Sequence, residues 1–403
     1  MSKDKQPEIR FPGFTEDWEQ RKLGEIVRIS SGFTGDSSLN IGQYELTRIE
    51  TIATGQVNLN KVGYSNTEPD KKYLLDKGDI LFSNINSLSH IGKIALFDLD
   101  MKLYHGINLL RLQPMNVNSQ FLYQSFQLNN HLEWAKSHAN QAVSQASINQ
   151  TELSKQVFLL PSQQEQQKIG TFFKQLDDTI ALHQRKLDLL KETKKGFLQK
   201  MFPKNGAKVP EIRFPDFTGD WEQRKLGDIF KKDTQKNKDL EFNSDSVISV
   251  AKMKLSTPSA KSSDEYMKTY NKIWKGNIAF EGHTNDEFPN GRFVLNDCQD
   301  GIVSHIYDVY SAVDEYDNEF MKRYINNPYV MRKILINATS SARMMKSLNS
   351  VEFLKQSILL PILSEQQKIG GFFYQLDNII ALHQRKLDLL KETKKGFLQK
   401  MFV

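Results

Sequence analysis

Glu165–Phe202 reads EQQKIGTFFKQLDDTIALHQRKLDLLKETKKGFLQKMF, and Glu365–Phe402 reads EQQKIGGFFYQLDNIIALHQRKLDLLKETKKGFLQKMF. The two agree at 34 of 38 positions, and Ala181–Phe202 recurs unchanged as Ala381–Phe402. In the first copy Ile169, Phe173, Leu176, Ile180, His183, Leu187, Leu190, Lys194, Phe197 and Met201 follow one another in steps of four and three. That spacing is a heptad seam with two polar members, His183 and Lys194. Pro161 ends the preceding strand, Ser162 can cap the helix with Glu165 three residues on, and Pro203 stops it. At ~1.5 Å per residue such a helix is about 57 Å long. Two helices with one matching seam should pack on each other. Two tandem units close most simply about a pseudo-two-fold axis, which makes the helices antiparallel. Full overlap then sets Ile169 against Met401, Phe173 against Phe397 and Leu176 against Lys394.

Outward from the helices, the chain is written twice. Glu8–Ile26 and Glu211–Ile229 are identical at 16 of 19 positions. Between opening and closing segments lie divergent middles, 27–150 and 230–352, whose apolar positions still correspond. Gly78-Asp-Ile-Leu-Phe-Ser83 matches Gly276-Asn-Ile-Ala-Phe-Glu281, Gly92–Leu96 matches Gly291–Leu295, and Ser147-Ile-Asn149 matches Ser347-Leu-Asn349. The reading is one α+β fold used twice, with two different surfaces. The expected layout is a mixed α/β domain at 1–161, a helix at 162–203, a second domain at 204–361 and a second helix at 362–403.

Composition bounds the function. The 403 residues are 25% charged and 39% hydrophobic, a globular mixture long enough for several domains. The opening Met-Ser-Lys-Asp-Lys-Gln-Pro has no apolar core and no apolar run approaches ~18 residues, so the expectation is a soluble, cytoplasmic chain with no membrane partner. A single cysteine, Cys298, excludes internal disulfides and a cysteine-cluster zinc site. The net charge of +6 falls on the closing segments, while both middles are neutral. If the middles bind DNA they must use local geometry and not bulk charge. There is no P-loop, no His-x-x-x-His pair and no catalytic triad pattern. Asn327-Pro-Tyr329 reads as a helix start, and Trp18, Trp221, Phe11, Phe14, Phe214 and Phe217 read as packing anchors. Nothing suggests a catalytic chain.

Trp18-Glu-Gln-Arg-Lys-Leu-Gly24 with its copy Trp221–Gly227, the Gly78-Asp-Ile-Leu core, and Leu-Pro-x-x-x-Glu-Gln-Gln-Lys-Ile entering a long helix twice resemble the specificity subunit of type I restriction–modification enzymes. The resemblance covers the whole chain. It implies two target recognition domains, each reading one half of a bipartite asymmetric site on double-stranded DNA, with the helices setting the spacer. It implies a non-catalytic chain that binds no cofactor itself. The partners it implies are two modification subunits, which methylate adenine with S-adenosylmethionine, and two restriction subunits, which use ATP and Mg2+ in bacterial defence.

Base edges are read by hydrogen bonds, so candidate readers are polar and differ between the middles. In the first these are Thr34, Asn84, Asn86, Ser87, His90, Asn140, Gln141, Ser144 and Gln145. In the second they are Glu281, His283, Thr284, Asn285, Ser340, Ser341, Arg343 and Lys346. Lys93 and Arg292 match across the two and suit phosphate contact. Two other readings stay open: a protein-binding scaffold on a coiled-coil bar, and a methyltransferase with a fused reader.

Overall fold

The computed structural model describes residues 6–36, 38–141, 145–204, 206–256, 263–342 and 345–403. The chain forms two compact units, one of residues 1–184 with 385–403, the other of residues 185–384. Each unit therefore takes one end of each long helix.

In the first unit the central sheet is antiparallel, in the order Val27–Ser31, Leu110–Pro114, Ile80–Phe82, Ile94–Leu96. Alternation along the strands divides the apolar residues between two faces. Ile80 and Phe82 face the larger core, with Phe121, Leu122 and Phe126 of the helix Ser119–Phe126. Leu81 and Ala95 face a second cluster with Ile52, Leu75 and Phe97. The second unit repeats this plan in the order Phe230–Asp233, Val309–Ala312, Ile278–Glu281, Arg292–Leu295. There Ile278 and Phe280 join Phe320 and Tyr324, while Ala279 joins Ile248, Val250 and Val303. The matched glycines explain themselves: Gly78 and Gly276 both turn the chain into the central strand at φ +97° and +91°, where a side chain is strained. Asn149 and Asn349 also match in role, each capping the short helix that follows it.

Opening and closing segments form one frame. Glu19–Lys22 pairs with Val157–Leu160, and Glu222–Lys225 pairs with Ser357–Leu360 in the same register. Trp18 and Trp221 are buried, as expected of anchors. The long helices run Gln163–Lys200 and Leu363–Met401. The Glu165 amide lies 3.4 Å from Ser162 Oγ, so the serine caps the helix. The glutamate half of the expected capping box is wrong. Glu165 is fully buried and takes a bidentate pair from Arg10, at 2.7 and 2.8 Å. Glu365 takes the same pair from Arg213, at 2.7 and 2.8 Å, although Ile362 stands where Ser162 stood. The carboxylate serves the joint between opening segment and helix, because two charge-assisted bonds outweigh one capping bond.

Helix pairing can be read inside each unit. In the first, Phe172 packs on Phe397 at 5.1 Å and Asp177 pairs with Lys394 at 2.8 Å. Numbers rise on one helix as they fall on the other, so the helices are antiparallel. In the second, Phe372 packs on Phe197 at 5.0 Å and Asp377 pairs with Lys194 at 2.5 Å, the same pairs with the helices exchanged. The detail differs slightly from the expected register. Phe397 meets Phe172, while Phe173 turns into the unit core against Phe402. Lys394 is tied to Asp177, next to Leu176, because a lysine on an apolar seam needs an anion. The identical ends do identical work: Phe402 packs on Trp18, Phe121 and Phe173, and Phe202 packs on Phe320, Tyr324 and Phe373.

Among the described residues no helix is long and apolar enough to cross a membrane, and no cluster of His, Cys, Asp and Glu is arranged to hold a metal. Asn327 caps the helix Pro328–Ala338, accepting from the Tyr329 amide at 2.9 Å.

Candidate nucleic-acid interface

In the first unit two distant stretches of candidate readers come together. The central strand ends at Phe82, and the chain turns out through a loop closed by Ser83–Lys93 and Gly92–Ser83 backbone bonds. Within that loop Ile85–Asn86 pairs with Ala146–Ser147, which pairs in turn with Asn140–Gln141. The result is a small three-stranded sheet, with Ala146 buried in the core and Asn140 and Gln141 exposed. Asn84 fastens it by donating from Nδ2 to the Ile148 carbonyl at 3.2 Å, and the Asn84 backbone carbonyl accepts from the Ile148 amide. Asn86 donates to Ser83 Oγ and accepts from the Ser87 amide. Ser87, His90, Asn140, Gln141 and Gln145 are exposed. His90 Nδ1 lies 2.9 Å from Ser87 Oγ and 2.9 Å from Ser89 Oγ. Ser89 was not among the expected readers; its signal was adjacency to His90. Thr34 stands apart, exposed on a segment whose Phe33 bridges Gly106 and whose Asp36 bridges Tyr64. Ser144 lies outside the described residues.

The second unit builds the same juxtaposition with other contacts. The hairpin Thr339–Ala342 with Met345–Leu348 pairs Ser340 with Ser347 and Ser341 with Lys346. The Lys346 amide donates to the Gly282 carbonyl at 2.8 Å, bringing the hairpin against the loop after the central strand. Only glycine permits this approach, since a Cβ at 282 would sit 2.2 Å from the Lys346 carbonyl oxygen. His283, Thr284, Asn285 and Ser340 are exposed on this platform. Asn285 holds its loop by accepting from the Glu287 and Phe288 amides. Glu281 is placed differently from a solvent-facing reader. It is 3% exposed, and its Oε1 lies 2.7 Å from His283 Nδ1. Its charge also reaches Tyr307, whose phenol is pushed up by burial first and by Glu281 second. Arg343 and the Ser341 side chain lie outside the described residues.

Lys93 and Arg292 correspond in contact as well as in sequence. Lys93 Nζ donates to the Ala53 carbonyl at 2.9 Å, and Arg292 Nη2 donates to the Ala251 carbonyl at 2.8 Å. Each ties the strand beside the platform to the preceding loop region.

A family model for the type I restriction modification DNA specificity domain matches residues 15–192 and again residues 218–392. The chain belongs to that family. It carries two such specificity domains, and what the family contributes is DNA recognition, not catalysis. Among curated proteins, one named as the type I restriction enzyme MjaX specificity subunit of Methanocaldococcus jannaschii is 29% identical, over 95% of this chain and 92% of its own length. Among solved structures, the S subunit of the type I restriction–modification system from M. genitalium matches with a TM-score of 0.63 at 12% identity, over 99% of both chains. A chain from a study of assembly and conformational transition of the type I R-M system matches at 0.51 and 14% identity, over 98% of this chain and 99% of that one. At such identities the structures establish the fold.

Proposed function

We propose that this chain is the specificity subunit of a type I restriction–modification complex, in which each unit reads one half of a bipartite DNA site. The observation that carries this is the repeated platform: one backbone juxtaposition of loop and hairpin, with exposed polar side chains that differ between the copies. A scaffold for proteins would need no such pair of unlike polar surfaces on one fold. Successive major-groove turns on one face of B-DNA are spaced ~34 Å, or about ten base pairs, within reach of helices about 57 Å long. The helices therefore set the spacer. Lys93 and Arg292 suit phosphate contact.

The chain carries no catalytic group in this reading. It directs adenine methylation and restriction by partner subunits, and S-adenosylmethionine, ATP and Mg2+ belong to those partners. Each unit leaves two helix leucines exposed, Leu182 and Leu389 in the first and Leu189 and Leu382 in the second. Matching exposed leucines fit two identical modification subunits. The test is exchange of residues 27–150 for another such middle, followed by mapping of methylated adenines in cells that express the chain with its modification subunits. One half of the site should change, with the other half and the spacing intact. If both halves change together, the two-reader reading fails.

A further inference from the structure

Both units place a histidine on the loop after the central strand, and they hold it differently. A hydroxyl can give or accept a hydrogen bond, so Ser87 and Ser89 permit either tautomer of His90. A carboxylate only accepts, so the 2.7 Å contact of Glu281 Oε1 requires the proton on Nδ1 of His283. Glu281 is not free to swing away. It is the last residue of the central strand, paired with Arg292 and buried. Its Oε2 has no hydrogen-bond partner, which makes the bond at Oε1 costly to break. In the neutral form of the ring that leaves Nε2 as an acceptor. The His283 side chain is 60% exposed on the platform, within the same loop as Thr284 and Asn285.

In the major groove two base edges offer a donor to such an acceptor, the N6 amino group of adenine and the N4 amino group of cytosine. We propose that Glu281 is a positioning residue that fixes the His283 tautomer, so that His283 Nε2 reads an exocyclic amino group at one base pair of the half-site taken by the second unit. The inference rests on the DNA-reading role proposed above. Among the candidate readers of this loop, Glu281 is buried while His283, Thr284 and Asn285 are exposed, the placement of a group that acts on DNA through the ring.

The experiment uses the full chain with its modification subunits. Methylated sites are mapped for the wild type, for Glu281→Gln and for His283→Ala. Glutamine keeps the volume, but its amide can donate to Nδ1 and release the opposite tautomer, with Nε2–H as donor. The expected result is a loss of about tenfold in discrimination at one position of the second unit's half-site, the scale of a single hydrogen bond. In Glu281→Gln the bases gained there should be guanine and thymine, which present acceptors. The half-site of the first unit should be unchanged in both variants, which also reports intact folding. Duplexes with purine for adenine, or 2-pyrimidinone for cytosine, remove the amino group and tell the two bases apart. In the free chain labelled with 15N-histidine, His283 Nδ1 should show the protonated signature and Nε2 the unprotonated one. A proton on Nε2, or a second-unit half-site unchanged in both variants, overturns the inference while leaving the reading role standing. Methylation at no defined sequence overturns the reading role and the inference together.

Discussion

The two units share a frame almost side chain for side chain, whereas their platforms share only a backbone plan. In the frame, Arg10–Glu165 and Arg213–Glu365 have the same bidentate geometry, and the terminal aromatics Phe402 and Phe202 fill equivalent cores. In the platforms the loop is held to its hairpin by strand pairing at Asn86 and Ala146 in one unit, and by the Gly282–Lys346 bond in the other. The difference teaches where variation is tolerated. A frame side chain contacts an opening segment and a helix at once, so replacing it breaks a joint. A platform side chain stands on a surface already held by backbone hydrogen bonds, so it can change without unfolding anything.

The largest contrast expected between the units is in acid. His105 and His131 are buried in the first unit, and burial pushes both down to about 4 from 6.5. His131 stacks on Phe158 at 4.1 Å, and His105 Nε2 faces the Leu109 carbonyl. Both rings are neutral when folded, whereas the unfolded chain takes up protons near 6.5. The unfolded state thus binds more protons between pH 6.5 and about 4, and stability falls as pH drops through that window. The loss is on the order of 3 kcal/mol for each histidine once pH reaches the folded value. The second unit buries tyrosines instead, Tyr310 and Tyr324, which burial holds neutral over the same range. Amide exchange protection, corrected for intrinsic rates, should fall from pH 7 to pH 5 at Leu81 and Leu112 but hold at Ala279 and Tyr310. Equal losses in both units would show that the histidines do not set the acid limit.

The frame comparison is open to a second test. Glu165→Ala and Glu365→Ala each leave a largely buried arginine without its carboxylate, Arg213 keeping the Gly219 carbonyl, at a cost of about 3–5 kcal/mol. Because the frames are equivalent, the two variants should lower the thermal midpoint to a similar extent. A clear inequality would mean that Ser162, or the 3.4 Å approach of Trp221 Nε1 to Glu365, matters more than the shared bridge.

Much of the fold was legible because it is carried by period and repetition. The seam from Ile169 to Met201 and its copy declared the helices, and the Gly78 and Gly276 segments declared the shared strand, since a turn at positive φ must precede it. The partner of Glu165 was not legible. A serine three residues earlier offered a local explanation, and the actual partner, Arg10, lies 155 residues away. The same limit applies at the site. Asn84, Asn86, Asn140 and Gln141 stand out in the sequence as polar residues that differ between the units, and the sheet brings them together. That Glu281 is buried beneath His283 could not be read from its type, because burial of a strand's last residue depends on what packs over it.

The smallest effect sharpens the comparison where frame meets middle. Asp177 and Asp377 occupy one frame position, and each pairs with a seam lysine. Their second partners come from the divergent middles. Asp177 accepts from the neutral Gln124 amide at 2.8 Å, and Asp377 accepts from the Arg323 guanidinium at 2.7 Å. Removing Asp177 leaves a buried amide and a lysine that still has Gln127 as partner. Removing Asp377 leaves a guanidinium whose side chain is 7% exposed, with Glu319 as its remaining anion. Both bonds end on a carboxylate, but at Asp377 the donor is charged as well and is left buried, so Asp377→Ala should cost about 2 kcal/mol and Asp177→Ala about 1 kcal/mol. Partial exposure of both aspartates keeps the figures this low. Urea midpoints read at unchanged slope would show the order. If the two variants matched, Glu319 alone would be holding Arg323, and the frame position would be as indifferent to the middle beside it as the rest of the frame is.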